Sequence, residues 1–188
     1  MSSYFPQQNT SHEPSLEAPE ALLTDRHTHA STYREMILEH HFISEILRHI
    51  WSSSHHPDLP EITHSQVDDN GYDVVIEWRG IVRHIQLKST VSKDSAVKAN
   101  TSLCRKPSGC IVLMTCKRDL GDVRYHWLGG RPPAPLTLPE CRPAKHTRAN
   151  RLGIKGQSIS SVMLARKAFT PLGGIHELVE RMFPSSAS

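Results

Sequence analysis

Paired cysteines, long apolar runs and a leader-like N-terminus are all missing from this chain of 188 residues. Cys104, Cys110, Cys116 and Cys141 show no C-x-x-C spacing, and two of them sit in or beside an apolar run, so they read as reduced thiols rather than as a zinc site. The 13 histidines are scattered, and His40-His41 and His55-His56 are neighbours rather than the i, i+4 pairs that bind a metal from one helix face. They read as exposed or locally bonded side chains. No apolar run approaches the roughly 18 residues of a membrane-spanning helix, which argues against a membrane partner. The opening "MSSYFPQQNTSHEPSLEAPEALL" has neither a basic n-region nor an apolar h-region, so a cytoplasmic location is expected.

Charge of one sign is also missing, in two places. The first 25 residues hold four acids and no Lys or Arg, whereas the 36 residues from Cys141 to His176 hold seven bases and no acid. Residues 1–30 are rich in Ser, Pro, Gln, Glu and Thr, with too little apolar surface to offset ordering entropy, and are expected to form a disordered tail. The length then suits one domain, 31–183, followed by a short tail, 184–188.

Within that domain, "STYREMILEHHFISEILRHIW" from Ser31 carries the 3.6-residue apolar recurrence of an amphipathic helix. "EITHSQVD", the two halves of "GYDVVIEWRGIVRHIQLKST", "GCIVLMT" and "DVRYHWLG" read as strands. Helices are expected at about 93–103, at about 157–169 and at 174–183, with a Pro-rich loop over 131–143. The string is α, several consecutive strands, then α: an α/β fold in which neighbouring strands pair.

The segment 71–90 reads as a hairpin turning at Arg79-Gly80. Trp78 then pairs with Ile81, and the register sets Asp73 opposite Gln86, on one face with Cβ atoms about 5 Å apart. Lys88 shares that face opposite Gly71, while Val74, Ile76, Trp78, Ile81, Ile85 and Leu87, with Arg83, form the reverse, core face. On a helical wheel with Glu39 at the origin, Ile43 falls at about 40°, Ile46 at about −20°, Ile50 at about 20° and Phe42 at about −60°, so Glu39 lies in the centre of the apolar stripe and Glu35 at its edge. A carboxylate among isoleucines is costly unless paired or bound to a cation. Glu39 therefore either pairs with Lys88 or another base, or helps to ligate a metal.

A helix with an inward Glu, Glu39 in "LEHHF", followed by Asp73 in "GYD" and by Gln86 and Lys88 in "IQLK", resembles the PD-(D/E)xK, or restriction-endonuclease-like, nuclease superfamily in its Q-x-K variant. The resemblance covers about residues 31–130 and implies a restriction-endonuclease-like core, a central mixed sheet flanked by helices. It also implies a metal-dependent nuclease that hydrolyses phosphodiester bonds, in DNA, of restriction, repair or defence type. By the same resemblance Asp73, Gln86 and Glu39 would hold Mg²⁺, with Mn²⁺ as an alternative, and Lys88 would orient the attacking water. Gln86 stands where the pattern prefers Glu, which removes a negative charge and weakens metal affinity; Asp68 or Asp69 replaces Asp73 as ligand if the strand register differs.

The acid-free stretch fits the same substrate, with Arg142, Lys145, Arg148, Arg151 and Lys155, then Arg166 and Lys167, as candidate phosphate contacts. Tyr125, His126 and Trp127 are candidates for base stacking, although an alternating strand buries at least one of them. No separate sequence-reading domain stands out, so specificity is expected from a partner protein or a homodimer. The competing expectation is a weakened or inactive nuclease-fold domain that binds nucleic acid or a protein partner.

Overall fold

The computed structural model describes residues 31–53, 58–65, 70–92, 95–145 and 157–185. Helix α1 runs Ser31–Ser53 and buries Leu38, Phe42, Ile46 and Ile50, a stripe at four-residue spacing. Strands β1 (Glu61–His64), β2 (Val74–Trp78) and β3 (Ile81–Thr90) follow as an antiparallel meander. The chain then crosses over through β4 (Val97–Asn100) and a 3₁₀ turn (Thr101–Arg105) to β5 (Gly109–Thr115), which lies parallel to β3. Strand β6 (Arg124–Gly129) returns antiparallel to β5, and the short β9 (Thr170–Pro171) completes a six-stranded mixed sheet in the order β1-β2-β3-β5-β6-β9. The protein is therefore α/β. Helix α2 (Ile175–Met182) packs beside α1.

Strand β5 is buried along nearly its whole length because both faces of the sheet are covered. One face carries Val112 and Met114 against α1 and α2, in a core with Val74, Ile76 and Ile85. The other carries Ile111 and Leu113 against Leu103 of the 3₁₀ turn and against Ala99 and Leu164, which belong to a second, three-stranded sheet ordered β4-β8-β7, with β7 at Arg142–Lys145 and β8 at Gln157–Leu164. Among the described residues, helices cover one face only, a departure from the expected arrangement.

Two expected helices are replaced accordingly. Residues 97–100 alternate buried and exposed, the period of a strand, and pair with β8 before the 3₁₀ turn. "SVMLARKA" carries good helix formers, but pairing of β8 with β4 on one side and β7 on the other overrides that propensity, leaving only a 3₁₀ turn at Arg166–Ala168. The helix expected from Ser31, the hairpin and the strand expected at 109–115 are present, and the strands expected at 61–68 and 122–129 and the helix expected at 174–183 are found as Glu61–His64, Arg124–Gly129 and Ile175–Met182.

Arg83 explains how α2 is held. It is fully buried in the core face of β3, and its guanidinium donates from Nε to Met182 O at 2.7 Å, from Nη2 to Arg181 O at 2.9 Å and from Nη1 to Gly130 O at 3.0 Å. The last carbonyls of α2, which a helix leaves unsatisfied, thus receive a charged donor from the sheet. No helix among the described residues is long and apolar enough to cross a membrane.

Candidate active site at the mouth of the hairpin

The hairpin has the expected register, from Trp78↔Ile81 to Val74↔Ile85. Arg79 and Gly80 both take positive φ, 51° and 72°, as a two-residue turn of the I′ kind requires. At the open end the ladder is continued by a side chain. The Asp73 N–H donates to Ile85 O at 2.8 Å, and Leu87 N–H donates to Asp73 Oδ2 at 2.6 Å, so a carboxylate takes the place of the next backbone acceptor. Gly71 then turns away with φ 76°, and a Cβ there would lie 2.8 Å from Leu103 N. Only glycine suits both the conformation and the approach.

Beyond Asp73, β3 pairs with no strand on the β2 side among the described residues, and a cavity of about 450 Å³ opens there. Asp73, Lys88, Glu39 and Glu35 line it, the last two one turn apart on the first half of α1. Three of the four residues expected to form the site thus meet, from three separate elements. Glu35, placed at the stripe's edge by the helical wheel, is the addition. Three carboxylates against one ammonium leave the cavity net acidic. Among the described residues Lys88 has no ion-pair partner.

Gln86 is not among the residues lining that cavity. It is 3% exposed and bonded at both ends of its amide: Nε2 donates to Gly71 O at 2.9 Å, and Oε1 accepts from Asn100 N–H at 3.1 Å. These partners are of opposite kind, which fixes the amide orientation and accounts for Gln at this position, since a carboxylate accepts but does not donate. Glu39 also differs from expectation. The buried stripe of α1 is centred about 40° from it, so Glu39 sits on the flank with its side chain 28% exposed, and its Oε1 pairs with His64 Nδ1 at 2.8 Å. His64, at the end of β1, is the base that sequence reading left unnamed.

The donor chemistry of the cavity fits a hard cation such as Mg²⁺, which takes carboxylate oxygens and retains several waters. The fit is to an ion held by one or two carboxylates and water: among the described residues, no group of three or more His, Cys, Asp or Glu is close enough to form a protein cage.

Of the basic stretch, Arg142 and Lys145 are exposed on β7, while Arg148, Arg151 and Lys155 lie outside the described residues, as do Asp68 and Asp69. Tyr125, His126 and Trp127 are all buried, Trp127 against the Arg83 guanidinium, so they offer no stacking surface; the sheet covers one face of β6 with helices and the other with Arg166 and its neighbours. The four cysteines are free thiols, and burial pushes Cys110 up to about 12. Compared with protein-family models, curated proteins and solved structures, the chain finds no significant match.

Proposed function

We propose that this protein is a cytoplasmic metal-dependent nuclease with a restriction-endonuclease-like core, hydrolysing phosphodiester bonds in DNA. The observation that carries the reading is the meeting of Glu39, Asp73 and Lys88 in one acidic cavity at the splayed end of the hairpin. A mixed sheet in which an antiparallel meander feeds a parallel strand, with a helix leading into it, supports the same core.

In this reading Asp73 and Glu39 would hold Mg²⁺, or Mn²⁺ in its place, with Glu35 adding negative charge to the same cavity lining. When bound, the ion supplies Lewis acidity and a lowered pKa for its water. Lys88, unpaired among the described residues, orients the attacking water and offsets charge building on the phosphate oxygens. Gln86 is a positioning residue: by tying Gly71 to Asn100 it fixes the backbone that presents Asp73. Arg142 and Lys145 give phosphate contacts on β7. Specificity comes from a partner protein or a second copy.

The test is supercoiled plasmid incubated with Mg²⁺. Wild type nicks it, and Lys88→Ala, which removes a partly exposed side chain, folds normally and does not. Equal nicking by both would overturn the assignment. A second reading, a nuclease-fold domain that binds without cutting, is favoured by the engagement of Glu39 with His64 and of Gln86 at both ends. Calorimetry separates the two, because that reading predicts no heat on titration with Mg²⁺.

A further inference from the structure

Helix α1 is apolar on two faces. Its buried stripe, Leu38, Phe42, Ile46 and Ile50, joins the core, but Tyr33, Met36, Ile37, Leu47 and Trp51 are 61%, 45%, 38%, 38% and 69% exposed. These are five of the seven large hydrophobic side chains exposed among the described residues, and they share one element. At about 100° per residue they fall within an arc of about 100°, centred about 150° from the buried stripe. The outer face of α1 is therefore a second apolar stripe, opposite the first. A helix needs one stripe to join its own core, and an exposed apolar patch of this kind marks a contact with another surface.

The order of residues along that face identifies its partner. Tyr33 and Trp51, Ile37 and Leu47, and His40 and Ser44 are each placed symmetrically about Phe42, so two copies of the helix laid antiparallel about a two-fold axis at that level set every residue against its pair. Aromatic meets aromatic at both ends, aliphatic meets aliphatic inside them, and the two exposed polar residues meet at the centre. There His40 Nδ1 donates to Met36 O at 2.8 Å, which leaves Nε2 of the neutral ring as an acceptor for the Ser44 hydroxyl of the second copy. A polar pair in the middle of an apolar seam sets its register. Beside the seam, Arg48 donates to Glu45 of its own helix, so that guanidinium enters the contact already paired.

We propose that a second copy of this chain packs on the outer face of α1, forming an antiparallel, two-fold symmetric helix pair. From their fractional exposures the five side chains present on the order of 500 Å² per copy, so pairing removes about 1,000 Å² from water, the lower end of specific interfaces. A reversible dimer is expected. It stands on the exposure and order of these residues and is independent of the nuclease reading. Met36 both borders this face and lines the acidic cavity, and a two-fold axis perpendicular to both helices keeps like flanks together, so pairing brings the two cavities to one side of the helix pair.

Sedimentation velocity of the full chain, from about 1 to about 200 µM, tests the pairing over the range in which a small interface associates. Wild type is expected to be a monomer at the low end and a dimer at the high end. Ile37→Lys and Leu47→Glu each set a charge against an apolar side chain at both symmetric points, and each is expected to weaken association by at least about tenfold. Both positions are exposed, so their urea unfolding curves match wild type. Mixed in equal amounts, the two variants set an ammonium against a carboxylate at one point and keep the native Ile37 and Leu47 contact at the other, and a dimer containing one of each returns. Wild type that stays monomeric throughout the range, as when residues 1–30 of the same chain cover the face, would overturn the proposal. So would a dimer that both substitutions leave unchanged, which places the contact elsewhere. Association lost in both variants and not recovered on mixing would refute the antiparallel pairing.

Discussion

Gln86→Glu restores the residue that the nuclease pattern prefers, and the structure predicts that it damages the protein. The amide donates to Gly71 O and accepts from Asn100 N–H while 3% exposed. A carboxylate there would set an oxygen against the Gly71 carbonyl and bury an unpaired charge, so its pKa must rise above the unfolded value of about 4.3. The sign follows directly. Below about pH 4 the carboxyl is protonated in both states, its O–H replaces the amide donor, and the variant matches wild type. As pH rises through about 4.3 the unfolded state releases the proton and the folded state does not, costing about 1.4 kcal/mol per unit until the folded pKa is reached. The loss at neutral pH is therefore about 1.4 kcal/mol for each unit by which burial raises the folded pKa above about 4.3. Urea unfolding followed by the fluorescence of the buried Trp78 and Trp127, between about pH 4 and 7.5, measures it. Because Gln86 does not line the cavity, Mg²⁺ does not recover the loss. Equal stability at all pH values, or recovery on adding Mg²⁺, would refute this account of Gln86.

Further outcomes follow from the same geometry. Arg83→Met keeps the volume but strips the donors from Met182 O, Arg181 O and Gly130 O; at about 1–3 kcal/mol per unsatisfied buried acceptor it is expected to cost at least about 3 kcal/mol in a urea titration, and a loss below about 1 kcal/mol would mean that water replaces the guanidinium. Burial, then Arg166 and Arg124, lower the folded His126 to about 4 against about 6.5 unfolded, so wild type loses stability as pH falls between those values, by at most about 3.4 kcal/mol before solvent screening reduces it; His126→Asn removes that dependence, and an unchanged acid slope in the variant would place the titrating group elsewhere. Gly71→Ala forces a left-handed side chain and a 2.8 Å contact with Leu103 N, so it lowers the unfolding free energy from a urea titration by more than the about 1 kcal/mol of a conformational penalty alone. A smaller loss would mean that the backbone at Leu103 gives way.

The parts of this molecule legible in its sequence are those governed by local periodicity and turn chemistry. The Arg79-Gly80 turn set the hairpin register, and with it the placement of Asp73 at the open end beside Lys88. The helical wheel brought Glu39 to the same region, but it averaged over Ile43 and the isoleucines beyond and missed Leu38, so it centred the stripe about 40° too far towards Glu39. What sequence reading missed depended on contacts between distant segments. The helix formers of "MLARKA" at 163–168 draw the reading of 157–169 towards a helix, and the edges offered by β4 and β7 make 157–164 a strand. Gln86 shares a strand face with Asp73 and Lys88, yet the approach of Asn100 and Gly71, set by the crossover after β3, takes up its amide. His126 and Arg166 are 40 residues apart, and nothing in the period of β6 announces that the 3₁₀ turn after β8 will bring them together.

The central claim is that Asp73 and Lys88 work in one metal-dependent site, and single-turnover cleavage of an end-labelled DNA duplex tests it most directly. Asp73→Asn keeps an oxygen to accept the Leu87 N–H and removes only the charge, so it folds as wild type does. The account predicts cleavage by wild type in Mg²⁺, none in EDTA, and a loss of at least about a hundredfold in rate, the low end for a catalytic group, in both Asp73→Asn and Lys88→Ala. Cleavage that survives both substitutions, or no cleavage by wild type in either Mg²⁺ or Mn²⁺, would contradict it.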